Sequence, residues 1–332
     1  MGSVLAKSEK LKDPLFDDIG NGFVDNEFIN NGQHLQQAES KPPDNNPGTF
    51  EELHKLCKDV MPVTFEGGKI ILNKMLSNNF QISHTVNLGA TTGASGYRFG
   101  STYVGLKQFS PTESFPVLFG DIDPQGNLNA NIVHQLTDRI RCKISTLIQN
   151  SKVAGAQVSA DYRKETYTLS CTVCNPNIIN SSGMFLAHYL QNIYPGLAMG
   201  AEFAYQCSRQ IPGGEAAAFA GAARIENGIV SLSGTFGQTG LHLCFYRKAS
   251  EQLQISAEFE TNFKSQEAVG TIGYQVDLPA ADLVFRGSID TNWNASAVFE
   301  TKIRPLPVNF ALSGLLNHQK SQFRLGCGVV IG

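Results

Sequence analysis

Apolar and polar side chains alternate every second residue from near residue 67 to residue 332, and no stretch with helical spacing interrupts this alternation. About nineteen runs of roughly 8–12 residues follow one another, separated by clusters of Gly, Asn, Pro, Asp or Ser. Successive side chains of a strand point to opposite faces, so each run predicts a strand with one apolar and one polar face. The chain from 67 to 332 is therefore expected to be all-β.

The length of these runs favours a membrane barrel over a soluble sandwich. Strands of soluble sheets average about 5–6 residues, whereas strands that cross an outer membrane need about 9–11. In lipid the sheet must also close, because each unpaired backbone group there costs several kcal/mol. We therefore expect a closed transmembrane β-barrel of about nineteen strands.

An odd number of strands makes the first and last strands meet in parallel. The last run, RLGCGVVIG at 324–332, is expected to pair with the first run, KIILNK at 69–74. Leu, Cys, Val and Ile share one face of the last run, and we expect that face to contact lipid. The closed sheet then has no free edge.

The run RIRCKISTLI, residues 139–148, indicates which face is wet. Basic and apolar side chains alternate in it, in the order Arg139, Ile140, Arg141, Cys142, Lys143 and Ile144. Turning a single Lys or Arg towards lipid at the bilayer midplane costs about 2–4 kcal/mol. The basic face must therefore line a water-filled lumen.

Composition excludes several other classes of function. The net charge is −3 and the pI about 6.2, so no polybasic surface for nucleic acid is expected. The seven cysteines are an odd number and the first residues, MGSVLAKSEK, lack a secretory signal, so we expect free thiols in a reducing compartment. The spacing of His and Cys gives no metal-ligand pattern and no catalytic set, and therefore no cofactor, metal or enzymatic activity is expected.

The chain before the alternation divides into two parts. Residues 1–47 are polar and acidic and are expected to be disordered. They end in the proline-containing stretch PPDNNPG, which occupies residues 42–48. Residues 48–62 predict an amphipathic helix, with Thr49 and Glu52 as a capping box and Pro62 at its end. Its apolar face comprises Phe50, Leu53, Leu56, Cys57 and Val60.

From residue 48 to 332 the sequence resembles the channel subunits of the translocase of the outer mitochondrial membrane, relatives of the voltage-dependent anion channels. The stretches that carry the resemblance are FEELHK (50–55), NNFQISHTVNLG (78–89), YVGLKQFSPTESFPVLFGD (103–121), AHYLQ (187–191), YRKASEQLQISAEFE (246–260), GYQVDLPAADLVFRGSIDTNW (273–293) and RPLPVNFALSGLLNH (304–318). The resemblance implies a nineteen-strand barrel in the outer membrane with the N-terminal helix inside the lumen.

The same resemblance implies a function and partners. The function would be passive conduction of unfolded precursor proteins across the outer mitochondrial membrane. The partners would be a presequence receptor, small single-helix subunits, another copy of the barrel and the surrounding lipids. The last strand also resembles the sorting signal of mitochondrial barrel proteins, with Arg324, Gly326, Val329 and Ile331 in its four places.

Charge is distributed unevenly along the barrel sequence. Residues 251–302 carry eight acids against three bases, and residues 128–163 carry five bases against two acids. Because mitochondrial presequences are basic and amphipathic, we hypothesise an acidic track for them in the lumen. Its members are Glu202, Glu258, Glu260, Asp290 and Glu300.

Other interpretations stay open from the sequence. The acidic residues could instead pair with basic residues of the lumen and stiffen the wall. The basic residues expected to line the pore are Arg139, Arg141, Lys143, Lys248, Arg286 and Lys302. The alternative functions are a metabolite pore of the anion-channel type, with a net basic lumen, and a soluble β-rich binding protein.

Overall fold

The computed structural model describes residues 45–89, 95–110, 113–177, 182–208 and 214–332. Most of the predicted disordered segment, residues 1–47, lies outside the described residues. The described chain forms one sheet of nineteen strands, one short α-helix and one turn of 3₁₀-helix. No helix in these ranges is long and apolar enough to cross a membrane.

The helix α1 spans Lys55–Val60, and the 3₁₀ turn spans Pro279–Ala281. The strands are β1 Gly67–Ser77, β2 Phe80–Leu88, β3 Gly96–Ser110, β4 Glu113–Ile122, β5 Leu128–Thr137, β6 Ile140–Gln149, β7 Lys152–Arg163, β8 Tyr167–Asn177, β9 Ser182–Tyr194, β10 Leu197–Cys207, β11 Glu215–Glu226, β12 Val230–Gly237, β13 Gly240–Lys248, β14 Leu253–Asn262, β15 Glu267–Leu278, β16 Leu283–Asp290, β17 Asn294–Ile303, β18 Val308–Asn317 and β19 Gln322–Ile331.

Each strand pairs antiparallel with the next one along the chain, and β1 closes the sheet by pairing in parallel with β19. The parallel pairing, here called the seam, runs from Gly67 opposite Gly326 to Leu72 opposite Ile331. The predictions of nineteen strands, of closure and of the parallel first and last strands are confirmed. Closure gives every strand two neighbours, which satisfies the backbone without a free edge.

The two faces of the sheet differ as the alternation predicts. Large apolar side chains such as Phe219, Ile272 and Leu325 are 58–61% exposed on the outer face. Small polar side chains such as Ser256 and Ser313 are at most 1% exposed on the opposite face. An apolar exterior and a polar interior are the pattern of a barrel that crosses a membrane.

Two rims of the barrel can be distinguished by the connections that they carry. The C-terminal rim holds the connections from odd-numbered to even-numbered strands, together with Gly332, whose N–H donates to the carbonyl of Pro307 (3.1 Å). The opposite rim holds the connections from even-numbered to odd-numbered strands and the start of β1 at Gly67.

Residues 45–66, here called the lumen segment, cross from one rim to the other along the inner wall. At the C-terminal rim Asn46 donates to the carbonyl of Lys164, between β7 and β8. At the other end the backbone N–H of Phe65 donates to Ser313 of β18 (3.0 Å). The segment thus contacts the β7–β8 connection at one end and β18 at the other, which are far apart around the closed barrel. It can reach both only from the concave, inner side of the sheet.

The register of the seam can be tested with one substitution. Gly68 lies directly opposite the native Cys327. Neighbouring strands are about 4.8 Å apart, inside the Cα separation of about 4.4–6.8 Å that a disulfide accepts. Mild oxidation of a Gly68→Cys variant folded in detergent should therefore link residue 68 to Cys327, as read by mass spectrometry of the joined peptides.

The matched control is Ile70→Cys, which faces the same side but lies opposite Val329. Its diagonal distance to Cys327 is about 8 Å, too long for a disulfide. Equal linkage in the two variants would contradict the register.

Candidate functional site in the barrel lumen

The part of the lumen segment that precedes α1 forms a series of tight turns. The backbone N–H of Thr49 donates to the Glu52 carboxylate (2.9 Å), which is one half of the predicted capping box. The N–H of Leu53 then bonds to the carbonyl of Phe50 (3.2 Å), a three-residue spacing typical of 3₁₀ turns. The regular α-helix consequently starts at Lys55, later than the sequence suggests, and ends at Val60.

The apolar face of the lumen segment packs against the wall. Leu53 is 2% exposed and contacts Leu190, Ala198 and Ala222, the inward residues of β9, β10 and β11. Phe50 stacks on His188, with ring centroids 4.7 Å apart. Small wall residues leave space for the segment, so it lies close against the sheet.

The remaining predicted helix residues divide between the wall and the open lumen. Val60 and Cys57 are 1% and 2% exposed, so both pack against the wall. Leu56 is 39% exposed and lies on the side away from it. The lumen therefore presents one apolar side chain of α1, while the rest of that face is covered.

A polar cluster joins α1 to β12, β13 and β14. The Nδ1 atom of His54 lies 2.8 Å from the Ser233 hydroxyl, and its ring centroid lies 4.3 Å from that of His242. His242 Nε2 lies 2.6 Å from a carboxylate oxygen of Glu258 and 3.3 Å from the Cys244 thiol.

Sequence reasoning missed this cluster. His54 and Ser233 are 179 residues apart in the sequence. His242 and Cys244 are two residues apart on β13 and therefore share one face, a spacing that every strand of the barrel has. The only available signal was that His242, Cys244 and Glu258 share the inward face of adjacent strands, which requires the register of β13 and β14.

The five acidic residues proposed for the track lie on inward positions, and four of them have partners. Glu300 pairs with Arg286 (3.2 Å), Glu202 lies 3.5 Å from His188, and Glu258 bonds to His242. Asp290 accepts bonds from the backbone and side chain of Asn294, which fixes the turn between β16 and β17. Within the described ranges, Glu260 is the track member whose side chain has neither a hydrogen bond nor an ion pair to another residue.

The basic residues predicted for the lumen lie mainly on β6 and on β13 to β17. The Arg141 guanidinium lies over the Phe115 ring, 5.3 Å from its centroid. Lys143 shares the face of Arg141, and Arg139 lies in the turn before β6. Arg286 forms the pair with Glu300 that would stiffen the wall. In the described part of the chain no ion pair joins Lys248 or Lys302 to the five acidic residues.

Comparison with known proteins places this barrel in a family. Residues 46–326 match the family model described as eukaryotic porin. The chain is 54% identical over 297 residues to mitochondrial import receptor subunit TOM40 homolog 2 of Drosophila melanogaster, covering 89% of this chain and 87% of the relative. It is 47% identical to the human TOM40 homolog (86% of this chain, 78% of the relative) and 42% to that of Caenorhabditis elegans (87% and 96%). The chain belongs to the TOM40 group of the eukaryotic porin family.

In this TOM40-family barrel, the four residues assigned to the sorting signal have distinct surroundings. Arg324 forms an ion pair with Glu66 (3.7 Å) at the end of the lumen segment. A Cβ atom at Gly326 would lie 2.2 Å from the carbonyl oxygen of Phe65, so only glycine fits there. Val329 and Ile331 lie on the outer face. The two inward positions thus hold the lumen segment, and the sorting role stays a prediction.

Docking of α1 should depend on Leu53 more than on Leu56. Removing a buried leucine side chain costs about 2–5 kcal/mol, whereas an exposed one contributes little. In hydrogen exchange of the folded protein in detergent, Leu53→Ala should therefore speed exchange of the α1 amides at least about tenfold.

The matched control is Leu56→Ala, which should change that exchange rate less than about threefold. The amides of β1 to β19 should keep their protection in both variants. The assigned packing would be wrong if Leu56→Ala had the larger effect.

Proposed function

We propose that this chain is the protein-conducting channel through which unfolded precursor proteins cross the outer mitochondrial membrane. The supporting observation is a closed nineteen-strand wall, apolar outside and polar inside, in a chain that is 47–54% identical to proteins named mitochondrial import receptor subunits. Conduction through such a wall needs no bond-making chemistry, so the proposed role is non-enzymatic.

The width of the barrel suits an unfolded chain. Barrels of about 16–18 strands leave an aqueous channel, and a nineteen-strand barrel is slightly wider. The lumen segment lies against the wall, where Leu53 is buried among Leu190, Ala198 and Ala222. The remaining lumen admits an extended chain or a single helix, about 10–12 Å wide with its side chains, but no folded domain.

The acidic inner wall would guide basic presequences. Glu260 is exposed to the lumen, and it lies on β14 beside the paired carboxylate of Glu258. In water a charge contact at about 4 Å is worth only about 1 kcal/mol, and salt screens it beyond roughly 8 Å. Weak contacts of this kind let a presequence bind and then move on.

The channel would act as one subunit of a larger assembly. Its proposed partners are the other translocase subunits, including receptors and single-helix subunits, and another copy of the barrel. The outer face supplies the surface that meets lipid and such subunits, with exposed apolar side chains such as Phe219 and Ile272.

Site-specific photocrosslinking tests the proposed path. A photoreactive residue at Thr271, on the inner face of β15, should crosslink a precursor arrested during import into mitochondria that carry this chain. The same residue at Ile272, which is 60% exposed on the outer face, should not. Crosslinks at Ile272 alone, or at neither position, would contradict passage through the lumen.

Charge reversal tests the acidic track. Glu260→Lys replaces an attraction by a repulsion, and at about 1 kcal/mol for each contact we expect presequence crosslinking to the inner wall to fall about three- to tenfold. Glu251→Lys, in the turn between β13 and β14, is the control with the same change of net charge. An equal effect of the two substitutions would argue against a specific track.

A planar bilayer separates the proposed channel from a metabolite pore. A presequence peptide should block the current of the wild-type barrel, and the block should weaken in Glu260→Lys. A steady, anion-selective current that the peptide does not affect would favour the metabolite pore instead.

A further inference from the structure

We propose that His54, Cys57, His242 and Cys244 form a binding site for a borderline or soft divalent cation such as Zn²⁺, which fastens the lumen segment to the barrel wall. The site lies where α1 meets β13 and β14. It goes beyond the proposed transport function, because it concerns how the segment is held and does not depend on what passes through the pore.

The donor atoms are close together before any ion binds. One ligand atom each of His54, His242 and Cys244 lie within 4.8 Å of one another. The Cys244 thiol is 3.3 Å from His242 Nε2. The fourth donor is the Cys57 thiol of α1, which is buried beside Cys244 and donates to the carbonyl of Ala257 (3.6 Å).

These distances are close to those of a tetrahedral site. Zinc bonds of about 2.0–2.1 Å to nitrogen and 2.3 Å to sulfur place neighbouring ligand atoms about 3.3–3.8 Å apart. The pair of Cys244 and His242 already has this spacing, and His54 needs a movement of about 1 Å. Two thiols and two imidazoles are the ligand set that Zn²⁺ favours in closed structural sites.

An unpartnered donor atom points to a ligand independently of the clustering. His54 Nε2 is buried and has no hydrogen-bond partner within the described chain. A buried polar atom without a partner is costly, and a metal ion would satisfy it. The other ring nitrogen, Nδ1, is held by the Ser233 hydroxyl at 2.8 Å. Metal-binding histidines are usually oriented by such a second contact.

The surrounding charges are compatible with an ion. Two thiolates balance the charge of Zn²⁺, and their two protons leave when the ion binds. The Glu258 carboxylate, now 2.6 Å from His242 Nε2 and 4.0 Å from the Cys244 thiol, would exchange its contact with the ring nitrogen for one with the ion or its ligands. Lys58 of α1 is near enough to Glu258 to offset its charge.

The site would cross-link parts of the chain that are otherwise held mainly by packing. His54 and Cys57 belong to the lumen segment, while His242 and Cys244 belong to β13. Because α1 is only six residues long, four metal bonds would add substantially to the contacts of Leu53 and Val60.

Cobalt titration of the full-length protein, refolded in detergent and kept reduced, tests the site. Co²⁺ reports thiolate ligation by a charge-transfer band and tetrahedral geometry by intense visible bands. The wild-type protein should bind one Co²⁺ per chain with both signals, and Zn²⁺ should displace it. Absence of the thiolate band in the folded wild-type protein would overturn the proposal.

Paired cysteine variants provide the matched control. Cys57→Ser with Cys244→Ser should abolish the thiolate band and weaken binding at least tenfold. Cys142→Ser with Cys327→Ser, which removes two thiols of the outer face, should leave it unchanged. His54→Ala should weaken binding, whereas Glu258→Gln should retain the band. Equal binding by the two double variants would overturn the proposal.

A measurement on the wild-type protein keeps the test valid if the first double variant does not fold. Zn²⁺ should slow alkylation of Cys57 and Cys244 at least tenfold and leave Cys327 unchanged. Alkylation of all three thiols at rates that Zn²⁺ does not alter would refute the site.

Discussion

The pairing of every backbone N–H and C=O within the sheet is the constraint on which the rest of the structure depends. In lipid no water replaces a missing partner, and the sheet therefore has to close on itself. With nineteen strands, closure requires the parallel seam between β1 and β19, which joins residues as distant in sequence as Gly67 and Gly326. Seam, lumen and outer face all follow from this single requirement.

The seam also explains why the last strand is shaped as it is. Its outer positions, including Cys327 and Leu325, are exposed to the surroundings, while its inner positions Gly326 and Gly328 lie beneath Phe65. A larger side chain at Gly326 would collide with the backbone of the lumen segment. One strand thus meets the first strand, the membrane and the lumen segment at the same time.

Much of this fold can be predicted from the sequence because its alternation has one physical cause. Each inward Arg141 or Glu258 has an outward neighbour such as Cys142 or Phe259, and the cost of turning charge to lipid decides the orientation. Because nineteen is an odd number, the first and last strands must then pair in parallel.

The site is less predictable, because the partner of each charged side chain depends on the register of the strands. Glu300 pairs with Arg286, whereas Glu258 pairs with a histidine that the sequence does not single out. The start of α1 depends on 3₁₀ turns after Thr49, which helical periodicity does not distinguish from an α-helix.

The course of the lumen segment has a topological consequence. It lies inside a ring that its own continuation, β1, helps to build, and it runs from Asn46 at the rim of Gly332 to Gly67 at the other rim. Asn45 and Asn46 therefore lie at the rim opposite the one where β1 begins. Either the sheet closes around the lumen segment during assembly, or the lumen segment is drawn lengthwise through the finished ring. In both cases the first polypeptide that the lumen accommodates is part of the same molecule.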